Sequence, residues 1–230
     1  MTAQLRQCPR WFLLVTVMVT ACVSSKKNVQ EDAAQPPKRI RFEQLTTDKL
    51  NDKQKALAEE IAKNAKKAGL GGPFNLLLRD PDMLAALNGF SNYMRFNTSL
   101  PPKYCELVTM VQARFWKAQF LWWAHYPIAI KAGLDAAAIE NIKQGQYPNS
   151  LQNDEKAVYR ATVEISRYHN LTDRTFWWLR KYLNEKQMAD FVALNGLHTM
   201  IGMVLNVSDA QIPGGEAPPL PAVPHVLPLK

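Results

Sequence analysis

The chain has 230 residues, with 28 Lys and Arg against 20 Asp and Glu, and 47% of it is hydrophobic. That composition can bury a sizeable core and excludes wholesale disorder. Three cysteines exclude a disulfide framework and a four-cysteine metal site, and no G-x-G-x-x-G or G-x-x-x-x-G-K-[ST] string offers a nucleotide loop.

Residues 1–21 read as an address. Arg6 and Arg10 precede the apolar run from Trp11 to Ala21, a basic n-region and an h-region too short for a comfortable membrane span. The run ends in Val19-Thr20-Ala21-Cys22, which resembles a bacterial lipoprotein box, where the Cys thiol is acylated and becomes the new N-terminus. The alternative is an ordinary signal peptide with Cys22 incidental. The lipoprotein reading makes 1–21 the signal peptide and 22–40 an anchor and polar linker. With Val23 rather than an acid after the Cys, it implies the periplasmic face of the outer membrane. Two or more acyl chains are needed for stable anchoring. Cleavage removes two arginines and no acid, so the mature chain stays basic, which suits anionic headgroups. No Lys/Arg cluster interleaved with aromatics stands out, so nucleic acid is not an expected partner.

The rest reads as helices. A helix is expected from Thr46–Asp48 to about Lys67, with Leu50, Leu57, Ile61 and Ala65 at helical spacing, stopped by Gly69, Gly71, Gly72 and Pro73. Asp80-Pro81 opens another to about Phe96. Leu100-Pro101-Pro102 opens a third, with proline in the first turn, that runs through Arg114 and onward to Ala132, where Gly133 stops it. Asp135 caps a short helix to Lys143. Asn153 or Asp154 caps a helix from Glu155 to His169, Thr172-Asp173 one to Leu183, and Asn184 one from Glu185 to Leu205. No period-two run suggests a strand. The expectation is an all-α bundle of about seven helices in a domain over 41–210. A tail over 211–230 follows, with six prolines from Pro213 on. It is either a strap against a neighbouring subunit or disordered.

One stretch could carry chemistry. Glu106 and His125 lie 19 residues apart in an aromatic neighbourhood. On a continuous helix they point about 100° apart, and they meet only if the helix breaks near Arg114–Ala118. Ala118, Leu121, Trp122 and Ala129 share the face of His125. A carboxylate beside a partly desolvated imidazole is a general acid/base arrangement. The plainer reading is a core histidine with one satisfied hydrogen bond, and the residues alone favour it. Trp122 with Trp123, and Trp177 with Trp178, read as packing. His169 sits at a helix C-terminus, where a cation suits the dipole. His198, one turn after Asn195 and two turns before Asn206, is a second polar candidate. No H-x-x-x-H or H-E-x-x-H occurs, so no metal is expected.

Gly72-Pro73-Phe74-Asn75-Leu76-Leu77, Pro81, Leu100-Pro101, Glu106-Leu107-Val108, and His125 followed by Ala129 and Gly133-Leu134 resemble the carboxymuconolactone decarboxylase and alkylhydroperoxidase D-like family. Glu155-Lys-Ala-Val-Tyr and Leu171-Thr-Asp-Arg-Thr-Phe-Trp fit the same rhythm. The resemblance implies a helical bundle that assembles as trimers or hexamers, with sites near subunit contacts. The peroxidase branch carries a Glu 19 positions before its His, as Glu106 and His125 do. Its C-x-x-C pair falls on Ala118 and Leu121 here, so thiol peroxidase activity is not expected. In the decarboxylase-like branch a Glu-Trp precedes the His; Trp122 matches and Leu121 replaces the Glu.

Two functions follow as expectations. The first is a cofactor-free lyase or isomerase on a small organic acid or lactone. His125 shuttles a proton, Glu106 orients it, Trp122, Phe120 and Trp123 exclude water, and Arg114 or His198 holds a carboxylate. The second is a non-catalytic, membrane-tethered binding or assembly protein with a degenerate site.

Overall fold

The computed structural model describes residues 40–64, 69–222 and 227–229; residues 1–39, on which the expected leader, the expected lipidation at Cys22 and the expected linker fall, lie outside them. The described residues form nine α-helices and no strand. They are α1 (Asp52–Asn64), α2 (Phe74–Leu77), α3 (Pro81–Asn92), α4 (Pro102–Phe115), α5 (Gln119–Lys131), α6 (Ala136–Lys143), α7 (Asn153–Tyr168), α8 (Asp173–Leu179) and α9 (Glu185–Ser208). The all-α expectation holds. The count exceeds seven because α2 is a single turn and because the long third helix is split in two.

Local chemistry accounts for most helix ends. Asn51 and Gln54 exchange hydrogen bonds of 3.0 and 2.9 Å, backbone N–H to side-chain oxygen each way. This capping box starts α1 at Asp52, later than expected, and leaves Thr47–Lys49 as a separate 3₁₀ turn. Asp80, Asp135 and Thr172 cap α3, α6 and α8 by accepting the backbone N–H three residues on. Asn184 and Gln187 form a second reciprocal box at α9. At α7 the cap is Gln152, one residue before the expected Asn153, and its N–H donates to the Glu155 carboxylate at 2.7 Å. A π-helical turn, Tyr93–Asn97, extends α3.

The split between α4 and α5 has a clear cause. Lys117 N–H donates to the Arg114 carbonyl at 3.2 Å, and Ala118 N–H reaches the Ala113 carbonyl at 2.8 Å. That pair of bonds is a Schellman stop, with Lys117 in the left-handed position at φ 50°. Glycine usually sits there, so the sequence carried no stop signal. The corner is also pinned by α9. Asn206 Nδ2 donates to the Trp116 carbonyl at 2.6 Å, and the Trp116 side chain lies on Gly202, where a Cβ would come within 2.6 Å of it.

Helix α4 is the axis of the bundle, with α5, α6, α7 and α9 packed around it. Leu107, Val108, Met110 and Val111 on α4 are fully buried, and Phe191, Leu194, Leu197 and Leu205 of α9 join the same cluster. A satellite cluster of Leu57, Ile61, Leu77, Leu78 and Leu84 rests on Ile201 and Val204 of α9. Among the described residues α9 alone is long and apolar enough to cross a membrane. It packs on α2, α4 and α5 and buries Asp190, Asn195 and His198, which marks it as the core helix of the bundle.

The described residues of the proline-rich tail pack on the helices of the same chain. Both ends of the Gln119 amide grip the Leu220 backbone, donating to its carbonyl at 3.1 Å and accepting its N–H at 2.8 Å. Leu220 and Leu227 are buried in the main cluster. Tyr159 Oη donates to the Pro228 carbonyl at 3.0 Å, and Arg167 donates to the Leu227 carbonyl.

Candidate acid–base site

The corner at Lys117 folds α5 back along α4 and brings two distant side chains together. His125 Nδ1 lies 2.9 Å from Glu106 Oε2. The two side chains keep 27% and 14% of their surface exposed, so the pair is sheltered yet reachable from solvent. Pro127, two residues beyond His125, interrupts α5. It removes the helical donor to the Trp123 carbonyl.

His198 completes a row of imidazoles. Its ring meets that of His125 edge to face, with centroids 5.7 Å apart and planes at 80°. On its other side, His198 Nδ1 stands 3.4 Å from Thr109 Oγ1. The Thr109 hydroxyl donates to the Cys105 carbonyl at 2.8 Å, which leaves its oxygen to accept from His198. Burial first, and then the nearby His125, lower the His198 pKa to about 3, against an opposing pull from the Leu194 backbone. His198 is therefore neutral at physiological pH and does not hold a carboxylate as a cation, contrary to expectation.

Cys105 adjoins Glu106 but is no nucleophile. Burial, then the charges of Glu106 and Asp190, push its thiol up to about 12. The two positions where the resembled peroxidases carry cysteines hold the buried side chains of Ala118 and Leu121.

Of the other expected site residues, Trp122 is on the His125 face and almost fully buried. Phe120 and Trp123 are not beside His125. The helical screw turns them to the far side of α5, where their rings meet at a tilt of 52° with centroids 5.4 Å apart. There Phe120 covers Gly72, whose φ of +58° disfavours a side chain and where an added Cβ would come within 2.4 Å of the ring. Trp123 Nε1 donates to Glu216 of the tail at 3.0 Å. Arg114 is fully buried, its Nε donating to the Lys143 carbonyl at 2.9 Å, so it is structural and not a substrate clamp. Burial lowers its pKa.

Three further polar positions escape sequence reading. Thr109 sits one turn after Glu106 and supports His198. Gln112, a turn further on, is fully buried and donates to Asn195 at 2.8 Å and Ser166 at 3.0 Å. Asp190 at the start of α9 accepts from Tyr93, Thr98, the Ser99 backbone and hydroxyl, and Lys186. Burial by itself raises its pKa, but the Ser99, Thr98 and Tyr93 hydrogen bonds outweigh it and hold the carboxyl well below the usual range. A small polar residue at helical spacing from a charged one is the signal that marks Thr109, but many neutral helix positions share it. Among the described residues no cluster of three or more His, Cys, Asp or Glu could hold a metal ion.

No family model and no curated protein matches the chain. Solved structures do. A Cys-to-Ala variant of the debrominase Bmp8 in complex with 2,3,4-tribromopyrrole matches at TM-score 0.58 and 16% identity, over 73% of this chain and 88% of that one. An uncharacterized peroxidase-related protein from Ralstonia eutropha JMP134, described as an alkylhydroperoxidase AhpD core, matches at TM-score 0.60 and 14% identity, over 76% and 92%. An uncharacterized peroxidase-related protein from Silicibacter sp. TM1040 matches at TM-score 0.63 and 14% identity, over 78% and 95%. The chain has the alkylhydroperoxidase D fold that its motifs resemble.

Proposed function

We propose that the chain is an exported, lipid-anchored protein whose Glu106–His125 pair works as a cofactor-free acid/base catalyst on a small organic acid or lactone, in the manner of a lyase or isomerase. The observation that carries this reading is the 2.9 Å contact between Nδ1 and the carboxylate in a partly exposed setting. A carboxylate on Nδ1 fixes the imidazole tautomer and leaves Nε2 to take a proton from a reacting carbon and return it. Glu106 compensates the imidazolium formed in that step. The neutral His198 adds no competing cation beside it. Neither thiol position holds sulfur, so the chemistry is proton transfer rather than thiol redox. The exposed Tyr126, Ile128 and Ile130 of α5 supply apolar surface for a second copy, and a homo-oligomer is part of the proposal.

A second reading, a non-catalytic binding or assembly protein, draws support from one observation: Arg114, Phe120 and Trp123 are all engaged away from His125. Incubating the protein with unsaturated carboxylic acids and lactones separates the two, with substrate loss followed by NMR. Turnover that disappears in His125→Gln supports the enzyme, whereas ligand-induced thermal stabilisation without turnover supports the binding protein.

A further inference from the structure

The Trp177-Trp178 pair, which reads as packing in the sequence, divides its roles in the fold. Trp178 packs inward on the main cluster, while Trp177 stays 64% exposed and is held outward by an edge-to-face contact with Phe176 at 5.1 Å. Arg174 lies one turn before Trp177 on α8 and Lys181 in the turn just past the helix end, and with the two indoles they line a shallow surface cavity of about 340 Å³. Neither cation makes an ion pair among the described residues, unlike Arg160, Arg180 and Lys186 nearby. An exposed indole between two uncommitted cations is a basic-aromatic face for which the bundle has no internal use.

We propose that this α8 face docks on an anionic phospholipid surface. An indole prefers the boundary between headgroup and hydrocarbon, where its ring is apolar and its N–H stays hydrated. Arginine and lysine flanking it reach the phosphates, each worth roughly a fivefold gain in occupancy on an anionic bilayer. Charge complementarity favours this partner, since the chain carries +8 and stays basic after Arg6 and Arg10 leave with the leader. The layout of the chain favours it too. The docking rests on the lipoprotein reading, in which Cys22 sits in the bilayer, 18 residues before Ile40. At roughly 3.3–3.6 Å per extended residue, such a linker spans up to about 60 Å, so α8 can reach the membrane that holds the anchor. Tethering makes the contact intramolecular, and a weak surface then suffices.

The test is hydroxyl-radical footprinting of the full chain reconstituted in vesicles. The readout is oxidation of the peptide bearing Trp177, with the mass of the N-terminal peptide reporting acylation of Cys22 separately. Oxidation of Trp177 is expected to fall about fivefold or more on phosphatidylglycerol-rich vesicles relative to phosphatidylcholine vesicles, and protection is expected to vanish in R174E/K181E and in high salt. Equal oxidation on both vesicle types, protection that survives the charge reversal, or equal protection by soluble glycerol phosphate without vesicles overturns the proposal. An unacylated Cys22 with protected Trp177 refutes the anchor and leaves the docking face standing; an acylated Cys22 with unprotected Trp177 does the reverse.

Discussion

Glu106 and His125 touch at 2.9 Å only because the backbone reverses at Lys117, midway between them in the chain. A residue with a Cβ in the left-handed region costs roughly 1 kcal/mol relative to glycine. The corner persists because the two Schellman bonds and the Trp116 contacts with α9 over-determine it.

Relief of that strain is measurable. Lys117→Gly is expected to stabilise the protein by about 0.5–1 kcal/mol, less than the full strain because glycine also loosens the unfolded chain. Lys117→Val, branched at Cβ, is expected to destabilise it by about 1–2 kcal/mol. Urea unfolding of both variants checks the sign, and a less stable Lys117→Gly would contradict the geometry of the corner.

Gly202→Ala probes the same corner from α9. The added methyl would meet Trp116 Cγ at 2.6 Å and Cβ at 2.8 Å, close to the ring's root, where the side chain yields least. The expected cost is about 1–3 kcal/mol, seen as a lower melting temperature together with altered fluorescence of the displaced Trp116. An unchanged melting temperature would mean that the indole does not lie against α9.

Removing residues 211–230 tests the tail. The bundle then loses buried Leu220 and Leu227, each worth about 1.5–3 kcal/mol before the entropy of ordering the strap is deducted. It also loses the Gln119 and Tyr159 bonds. A fall of several degrees in melting temperature is expected, and no fall would show that the tail is not packed on α5 and α7.

Two residues of α9 contribute separably to acid sensitivity. The unfolded His198 binds a proton near pH 6.5, but the folded one does so only near pH 3. Stability is therefore complete above about pH 6.5 and falls at up to roughly 1.4 kcal/mol per pH unit below it. Asp190 acts lower. Its carboxyl is depressed in the fold, so its contribution stands above about pH 4 and is lost as the pH drops further. His198→Gln is expected to flatten the slope between pH 6 and 4, and Asp190→Asn the slope below about pH 4, both read by denaturation across a pH series. A wild-type slope retained in His198→Gln would show that His198 titrates normally.

Much of the scaffold is legible in the sequence because its signals are local. Asp135, Thr172 and Asn184 cap the helices assigned to them, Pro102 opens α4, and Gly133 stops α5. The site is legible only conditionally. Helical periodicity holds Glu106 and His125 apart, and the break that joins them lacks glycine because α9, distant in sequence, supplies the stabilisation. The tail defeats sequence reading for the same reason, since Gln119 and Leu220 are separated by 101 positions. Arg114, Phe120 and Trp123 look available in sequence and are not, because their partners at Lys143, Gly72 and Glu216 come from other segments.

Proton transfer by the Glu106–His125 pair is the central proposal. Its most direct test is the turnover of unsaturated lactone carboxylic acids by wild type, His125→Gln and Glu106→Gln, compared by NMR in deuterated buffer so that solvent hydrogen delivered to carbon is seen. Turnover with deuterium incorporation in the wild type, reduced on the order of a hundredfold or more in His125→Gln and substantially in Glu106→Gln, is the expected result. Turnover undiminished in His125→Gln would contradict it.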